Sequence, residues 1–324
     1  MVKIGSIELP DFPLLLAPME DVSDPPFRKL CKIHGADLMY SEFISSEGLI
    51  RDAIKSRKKL DIFDYERPIG IQIFGGDEEA MAMSARIIES VEPDLVDINF
   101  GCPVKKVVSK GAGAGVLKDV DLMVRLTKAV VNSTHLPVSV KTRLGWDFEN
   151  INIDEVAEKL QETGIKALTI HARTRSQMYK GEADWEHISR IKNNPNIEIP
   201  IFGNGDIDSP EKAIEYKEKY DCDGIMIGRA AIGYPWIFNE IKHFFATGKI
   251  LPKPAFSERL EAVKNHAIWS VEWKGERAGL VEMRRHYSNY FRGIPHFKDF
   301  KNKFLHASSL GELKEIIVEM EQLN

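Results

Sequence analysis

Eight short apolar, β-branched runs, set at a steady spacing and separated by amphipathic segments, constrain this chain more than any other feature. They are Leu14–Ala17, Leu38–Ser41, Ile69–Phe74, Leu95–Asn99, Val138–Thr142, Ala167–His171, Ile201–Asn204 and Gly224–Ile227. The intervening segments carry helix start signals. Asp24-Pro25-Pro26 leads into Phe27–Ile33, Asp77 opens Glu78–Ser90, and Asp119 opens Leu122–Val131. Asp154 opens Val156–Glu162, and Ser209-Pro210-Glu211 opens Lys212–Lys219. Strands that alternate with helices imply a parallel sheet. Eight such units in about 230 residues match the size of an α/β (β/α)8 TIM barrel. The doubly wound alternative would favour a Gly-x-Gly-x-x-Gly turn after the first strand, and none is present.

Active sites of such barrels lie at the C-terminal ends of the strands. Ala17-Pro18-Met19 ends the first run, and Gln72 sits in the third. Asn99 and Cys102 end the fourth, Lys141 and Arg143 the fifth, and His171-Ala172-Arg173 the sixth. Asn204-Gly205-Asp206 and Gly228-Arg229 follow the last two. Singly, each has an ordinary structural reading: a buried histidine that is only hydrogen-bonded, a lysine that reaches out to solvent. Together they bring polar and basic groups to one mouth. Loops after strands seven and eight of this fold often hold a phosphate through backbone N–H groups. Met19, Gln72, Lys141 and His171 are then left to meet a ring system, and lysine suits a ring that gains negative charge on reduction. Read from the residues, this fits a flavin mononucleotide site.

A lone cysteine is most often a small buried hydrophobe. Cys102 stands instead at a strand end, between Gly101 and Pro103, with little apolar cover from its sequence neighbours. The Val104–Leu117 segment behind it carries Lys105, Lys106 and Lys110 and then Gly111-Ala112-Gly113-Ala114-Gly115. That composition predicts a flexible, positive loop which a polyanion could approach.

Hydrophobic content of 43% and charged content of 29% describe an ordinary globular chain with ample core. The N-terminal apolar run Leu14-Leu15-Leu16-Ala17 lacks a basic leader and is too short to span a membrane, so the expected location is the cytoplasm. Three cysteines without Cys-x-x-Cys spacing argue against a disulfide framework and a zinc site, and no metal is expected. Cys31 and Cys222 read as packing residues.

Net charge is −5, but Lys242 to Leu305 holds thirteen Lys/Arg against six Asp/Glu. After a helix expected over Tyr234–Phe245, Gly248 to Pro254 reads as a linker. The chain accordingly divides into a barrel over 1–247 and a small all-helical domain over 248–324, its last helix spanning Leu310 to Leu323. Arg284, Arg285, His286, Tyr287, Tyr290, Arg292, Lys298, Lys301 and Lys303 mix cations with aromatics, as nucleic-acid surfaces do. The plainer reading is a helical bundle with an aromatic core, expected for Trp269, Tyr290 and Phe291.

Several stretches resemble the tRNA-dihydrouridine synthases, most closely the bacterial B-type branch. They are Leu16-Ala17-Pro18-Met19 with Val22 to Arg28, Asp97 to Pro103, Val140 to Trp146, His171 to Arg175, Gly203 to Ile207, and Ile227 to Ala230. The Asn-x-Gly-Cys-Pro element is the specific one. Other flavin barrels share Ala-Pro-Met and Gly-Arg. The resemblance implies FMN-dependent reduction of tRNA uridine to 5,6-dihydrouridine, with NADPH reducing the flavin and Cys102 donating the proton. It implies that FMN meets Ala17, Pro18, Met19, Gln72, Lys141, His171, Asn204, Gly205, Asp206, Gly228 and Arg229. Asn99, Arg143 and Arg173 are implied near the uracil. Lys105, Lys106, Arg284, Arg285 and Arg292 are the expected tRNA-facing cations, and no protein partner is implied. Two alternatives stay open. One is a flavin barrel acting on a free pyrimidine, as dihydroorotate dehydrogenase does, with the cysteine as base. The other is a tRNA-binding protein or folding chaperone that retains flavin only as a relic.

Overall fold

The computed structural model describes residues 1–322. An antiparallel hairpin, β1 (Val2–Ile4) and β2 (Ile7–Leu9), precedes the barrel. The barrel strands are β3 (Leu14–Leu16), β4 (Met39–Tyr40), β5 (Ile44–Ser45), β6 (Ile69–Phe74), β7 (Leu95–Asn99), β8 (Val138–Arg143), β9 (Ala167–His171), β10 (Ile201–Asn204) and β11 (Gly224–Ile227). Their order is β3-β11-β10-β9-β8-β7-β6-β4, parallel throughout, with β5 also on β6. A parallel bridge between Leu15 and Leu38 closes the ring, and the Leu16 N–H donates to the Leu38 carbonyl at 2.9 Å. All eight expected strands are present. The second is β4, followed by the short β5 on the same neighbour, and between them Ser41 Oγ accepts the Gln72 N–H at 3.1 Å.

Strand periodicity of two decides what faces inward. Ile69, Ile71 and Ile73 of β6, Val96 and Ile98 of β7, and Val138 and Val140 of β8 join the large core beneath the helices. Their alternates Gln72, Asp97, Asn99, Ser139 and Lys141 therefore point into the barrel. The lower interior is apolar: Leu15, Leu38, Tyr40, Leu95, Ala167, Phe202 and Met226 pack with Val2, Ile4 and Leu9 of the hairpin. The hairpin thus plugs the end opposite the mouth. Its two strands, with the mixed sequences Val2-Lys3-Ile4 and Ile7-Glu8-Leu9, were not foreseen.

The expected helices form, with small differences at their ends. Pro25–Ile33 starts on Asp24, whose carboxylate accepts the Phe27 N–H at 3.0 Å. Short helices at Ser46–Ile50 and Ile54–Lys58 were not foreseen. The loop after Cys102 is more ordered than its composition suggests, with a helical turn at Lys105–Val108 and a 3-10 segment at Gly113–Lys118. Four helices follow the barrel: Phe256–Lys274, Glu276–Tyr290, Phe297–His306 and Leu310–Glu321. Leu323, the expected end of the last one, lies outside the described residues. Their core holds Leu260, Val263, Met283, Tyr287, Tyr290, Phe291, Phe300 and Phe304, and reaches the barrel through Leu30 and Trp236. This corrects the expected mixed surface. His286 and Tyr287 are buried, and the cations around them stay outside. Tyr290 and Phe291 join the core as expected, and Trp269 packs against it while only partly buried. The approach to the barrel is close, since a Cβ on Gly233 would stand 2.4 Å from the His286 carbonyl oxygen. No described helix is long and apolar enough to cross a membrane.

Candidate active site

A cavity of about 770 Å³ opens at the C-terminal ends of the strands. Ala17, Pro18, Met19, Asn99, Cys102, Lys141, Arg143, His171, Arg173, Asn204, Gly205, Asp206, Gly228 and Arg229 all line it, although they come from separate strands. Gln72 does not line it. It is fully buried just below, where its side-chain N–H donates to Asp97 at 2.5 Å and its carbonyl accepts the Asn99 amide at 2.8 Å. Ser139 donates to the other Asp97 oxygen. Burial pushes the Asp97 carboxyl up to about 6, against the pull of these donors.

This chain of bonds fixes which way the Asn99 amide faces. With its nitrogen committed to Gln72, its Oδ1 accepts the N–H groups of Gly101 and Cys102, both at 2.9 Å. Asn99 therefore shapes the turn that carries the thiol. Cys102 is buried rather than open, and burial raises its pKa above the ordinary thiol value. The group is protonated near neutral pH.

Arg143 holds the same turn from the other side. Its Nε donates to the Gly101 carbonyl at 2.7 Å, and its Nη1 reaches the carbonyls of Thr174 and Met178 at 3.0 and 2.9 Å. Arg173 binds the Gly181 carbonyl and Asp206 through Nη2, both at 2.6 Å, while its buried Nη1 has no partner among the described residues. Lys141 donates to Asn204 at 3.1 Å, and burial together with Arg143 pushes its ammonium down to about 7. Burial and the cations Arg143, Lys141, Arg173 and Arg229 hold His171 well below the usual histidine range, so its ring is neutral.

Gly203 leaves room for the buried Trp185 ring, since a Cβ there would lie 1.9 Å from Cζ3. That ring donates to the Gly205 carbonyl at 3.1 Å and so sets the loop after β10. Gly205, at φ +133°, takes a backbone conformation that other residues rarely adopt. A Cβ on Gly228 would project beside Ala17 and Met19 into the mouth.

Tyr179, not foreseen from the sequence, also lines the mouth. Its ring is half-exposed at the mouth, with the Arg143 and Arg229 guanidinium carbons 5.7 and 5.3 Å from its centre. An aromatic a few residues beyond Arg173 and Arg175 was the available signal. Among the surface cations, Arg292 lines the mouth, whereas Lys105, Lys106 and Arg284 are exposed outside it. Arg285 is occupied with Asp21.

A closed parallel barrel with a polar, cation-lined mouth at the C-terminal ends of its strands places the chain in the (β/α)8 class, with its cavity where that fold carries active sites. The comparisons narrow this. The family model for dihydrouridine synthase (Dus) matches residues 15–323. A tRNA-dihydrouridine synthase B from Pseudomonas aeruginosa is 40% identical over 304 residues, covering 94% of this chain and 91% of that one. A probable tRNA-dihydrouridine synthase from Rickettsia bellii is 37% identical, covering 98% and 97%. The chain belongs to the dihydrouridine synthase family and is most similar in type to the bacterial B enzymes. Solved structures agree on the fold. A morphinone reductase in complex with tetrahydroNAD aligns with a TM-score of 0.54 at 13% identity, covering 79% of this chain and 92% of that one. A histamine dehydrogenase from Rhizobium aligns at 0.59 and 10% identity, covering 82% of this chain but only 50% of its own.

Proposed function

We propose that this protein reduces uridine in tRNA to 5,6-dihydrouridine with FMN as cofactor and NADPH as reductant. The observation that carries the reading is the buried, protonated Cys102 thiol, held by Asn99 and Arg143 at the rim of a cation-lined barrel mouth.

The residues fit the cofactor. The unpartnered Arg173 Nη1, the exposed Arg229 guanidinium and the loops at Gly205 and Gly228 would take the phosphate. Ala17, Pro18 and Met19 form an apolar shelf for a flat ring, with Lys141, Asn204 and neutral His171 facing it. Bound there, FMN would supply the hydride that reduces uracil at C6. Cys102 holds at Sγ the proton that C5 must then receive, and a thiol kept neutral by burial suits a general acid. Arg143 uses Nε on the Gly101 carbonyl of the turn and Nη1 on the Thr174 and Met178 carbonyls, which leaves Nη2 for a uracil carbonyl, where it would stabilise developing negative charge. Gln72, out of the cavity, orients Asn99. The base must leave its stack to enter the mouth. Exposed Lys105, Lys106, Arg284 and Arg292 would hold the backbone around it.

The test is anaerobic. Flavin in the purified protein is reduced with NADPH, and return of the oxidised spectrum is followed after unmodified tRNA, orotate or free uracil is added. Rapid reoxidation by tRNA alone supports the reading. Reoxidation by the small pyrimidine alone moves the substrate to free nucleobases, and no reoxidation by either leaves a binding protein.

A further inference from the structure

We infer that the helical bundle sets the position of Met19, and that Arg285 does so as a positioning residue rather than as a tRNA contact. The inference rests on the function proposed above, because Met19 matters as part of the shelf for the flavin and uracil rings.

Residues 18–24 form a loop between β3 and the Pro25–Ile33 helix. Pro18, Met19, Glu20 and Val22 line the mouth. The loop is closed on itself: the Met19 N–H donates to Ser23 Oγ at 2.8 Å, and the Val22 and Ser23 N–H groups donate to the Met19 carbonyl at 3.1 and 3.0 Å. Moving Asp21 therefore moves Met19. Asp21 itself sits at φ +54°, a conformation its neighbours must maintain. The barrel holds one side, where the Asp21 N–H donates to Glu42 at 2.6 Å and Lys59 grips Glu20 at the same distance. The helical bundle holds the other. Arg285 Nη1 donates to the Asp21 carbonyl and lies 3.5 Å from its carboxylate, and Lys274 Nζ lies 3.6 Å from the Asp24 carboxylate. Both cations come from helices of the bundle, so the loop that lines the mouth spans two structural units. Arg284, one residue away, is exposed, and among the described residues no hydrogen bond or ion pair ties it to this loop.

The experiment compares Arg285→Met with Arg284→Met in the full chain, using three readouts. Without any ligand, hydrogen exchange at the amides of residues 19–23 is expected to accelerate in Arg285→Met and stay at the wild-type rate in Arg284→Met. With the proposed cofactor bound, Arg285→Met is expected to alter the visible flavin spectrum and to slow single-turnover reoxidation by tRNA about tenfold. Its tRNA Kd and the salt dependence of that Kd should hold at wild-type values. Arg284→Met should weaken tRNA binding and reduce the salt slope by about one. Unchanged exchange in Arg285→Met, or a loss of salt slope there, overturns the inference. Failure of the wild-type flavin reaction would refute the proposed function instead, and the exchange comparison would still decide whether Arg285 holds the loop.

Discussion

Replacing Asn99 with alanine tests how the turn carrying the thiol is built. Three hydrogen bonds go at once. The Gln72 carbonyl loses its donor, and the N–H groups of Gly101 and Cys102 lose their shared acceptor. Gln72 is sealed below the cavity, so its oxygen stays dry and the loss there is a desolvation penalty of about 1–3 kcal/mol. The two amides lie beside the mouth, where water can replace the side chain, and losing each bond costs about 0.5–1.5 kcal/mol. The sum is roughly 2–6 kcal/mol. Chemical unfolding of the protein should register it as a lower midpoint with an unchanged slope.

The same change frees Cys102. An error of about 1 Å at a reacting atom can lower a rate about 100-fold, and dihydrouridine formed per turnover should fall on that order while the flavin stays bound. Cys102→Ser separates the two effects. It keeps every backbone bond of the turn, so it should unfold at the wild-type midpoint and lose product. An Asn99→Ala protein that loses less than about 1 kcal/mol and turns over at the wild-type rate would refute the argument that Asn99 holds the acid.

Cys102→Ala should keep its yellow flavin and its NADPH oxidation yet form little dihydrouridine; normal product would remove Cys102 as the acid. Gly203→Ala would drive a methyl group into the Trp185 ring, which can move only by breaking its bond to the Gly205 carbonyl. Denaturation should show a loss of about 1–3 kcal/mol, with weaker FMN retention, and a wild-type midpoint would mean the ring has room to shift. His286, buried between Phe27 and His266 and held down to about 3, stays neutral in the fold while the unfolded chain takes up a proton near 6.5. The unfolded state binds more protons in that window, so stability is fully present above about 6.5 and falls as pH drops toward 3. His286→Phe should flatten that part of a stability-versus-pH curve, and an unchanged slope there would assign the acid sensitivity to other groups. Charge reversal at Arg284 should weaken tRNA binding in a salt-sensitive way without touching flavin reduction by NADPH; unchanged affinity would put the binding face elsewhere.

The barrel was legible because eight apolar runs recur at a steady spacing with amphipathic segments between them. In β6 to β8 the outward positions are isoleucine and valine, so the inward positions announce themselves by being polar. Residues scattered between positions 17 and 229 gather at one mouth in the sequence because each stands at the C-terminal end of its run. Parity gives direction and not depth. Gln72 points inward like Lys141, yet it lies one layer lower and is spent on Asp97 and Asn99, so its expected place against a cofactor became a place behind Asn99. The helical region was misread for a related reason. Arg284, Arg285, His286, Tyr287, Tyr290 and Arg292 look like an interleaved surface when read along the chain. On a helix, Met283, Tyr287 and Tyr290 fall four and three residues apart and make one apolar stripe. The stripe is buried and the cations are left outside it.

Arg285 carries that lesson into function. Sequence position makes it the twin of Arg284, and composition makes both part of a basic region. Only the fold brings residue 21, in the left-handed region and 264 positions away, beneath its guanidinium. A cation with a backbone carbonyl already in its grip is a poor candidate for a phosphate contact, because binding a phosphate would release the carbonyl. The basic character of the helical region is therefore not one property, since Arg285 is spent on the loop of Met19 while Arg284 is left exposed. Charge counting along the chain has no means of telling them apart.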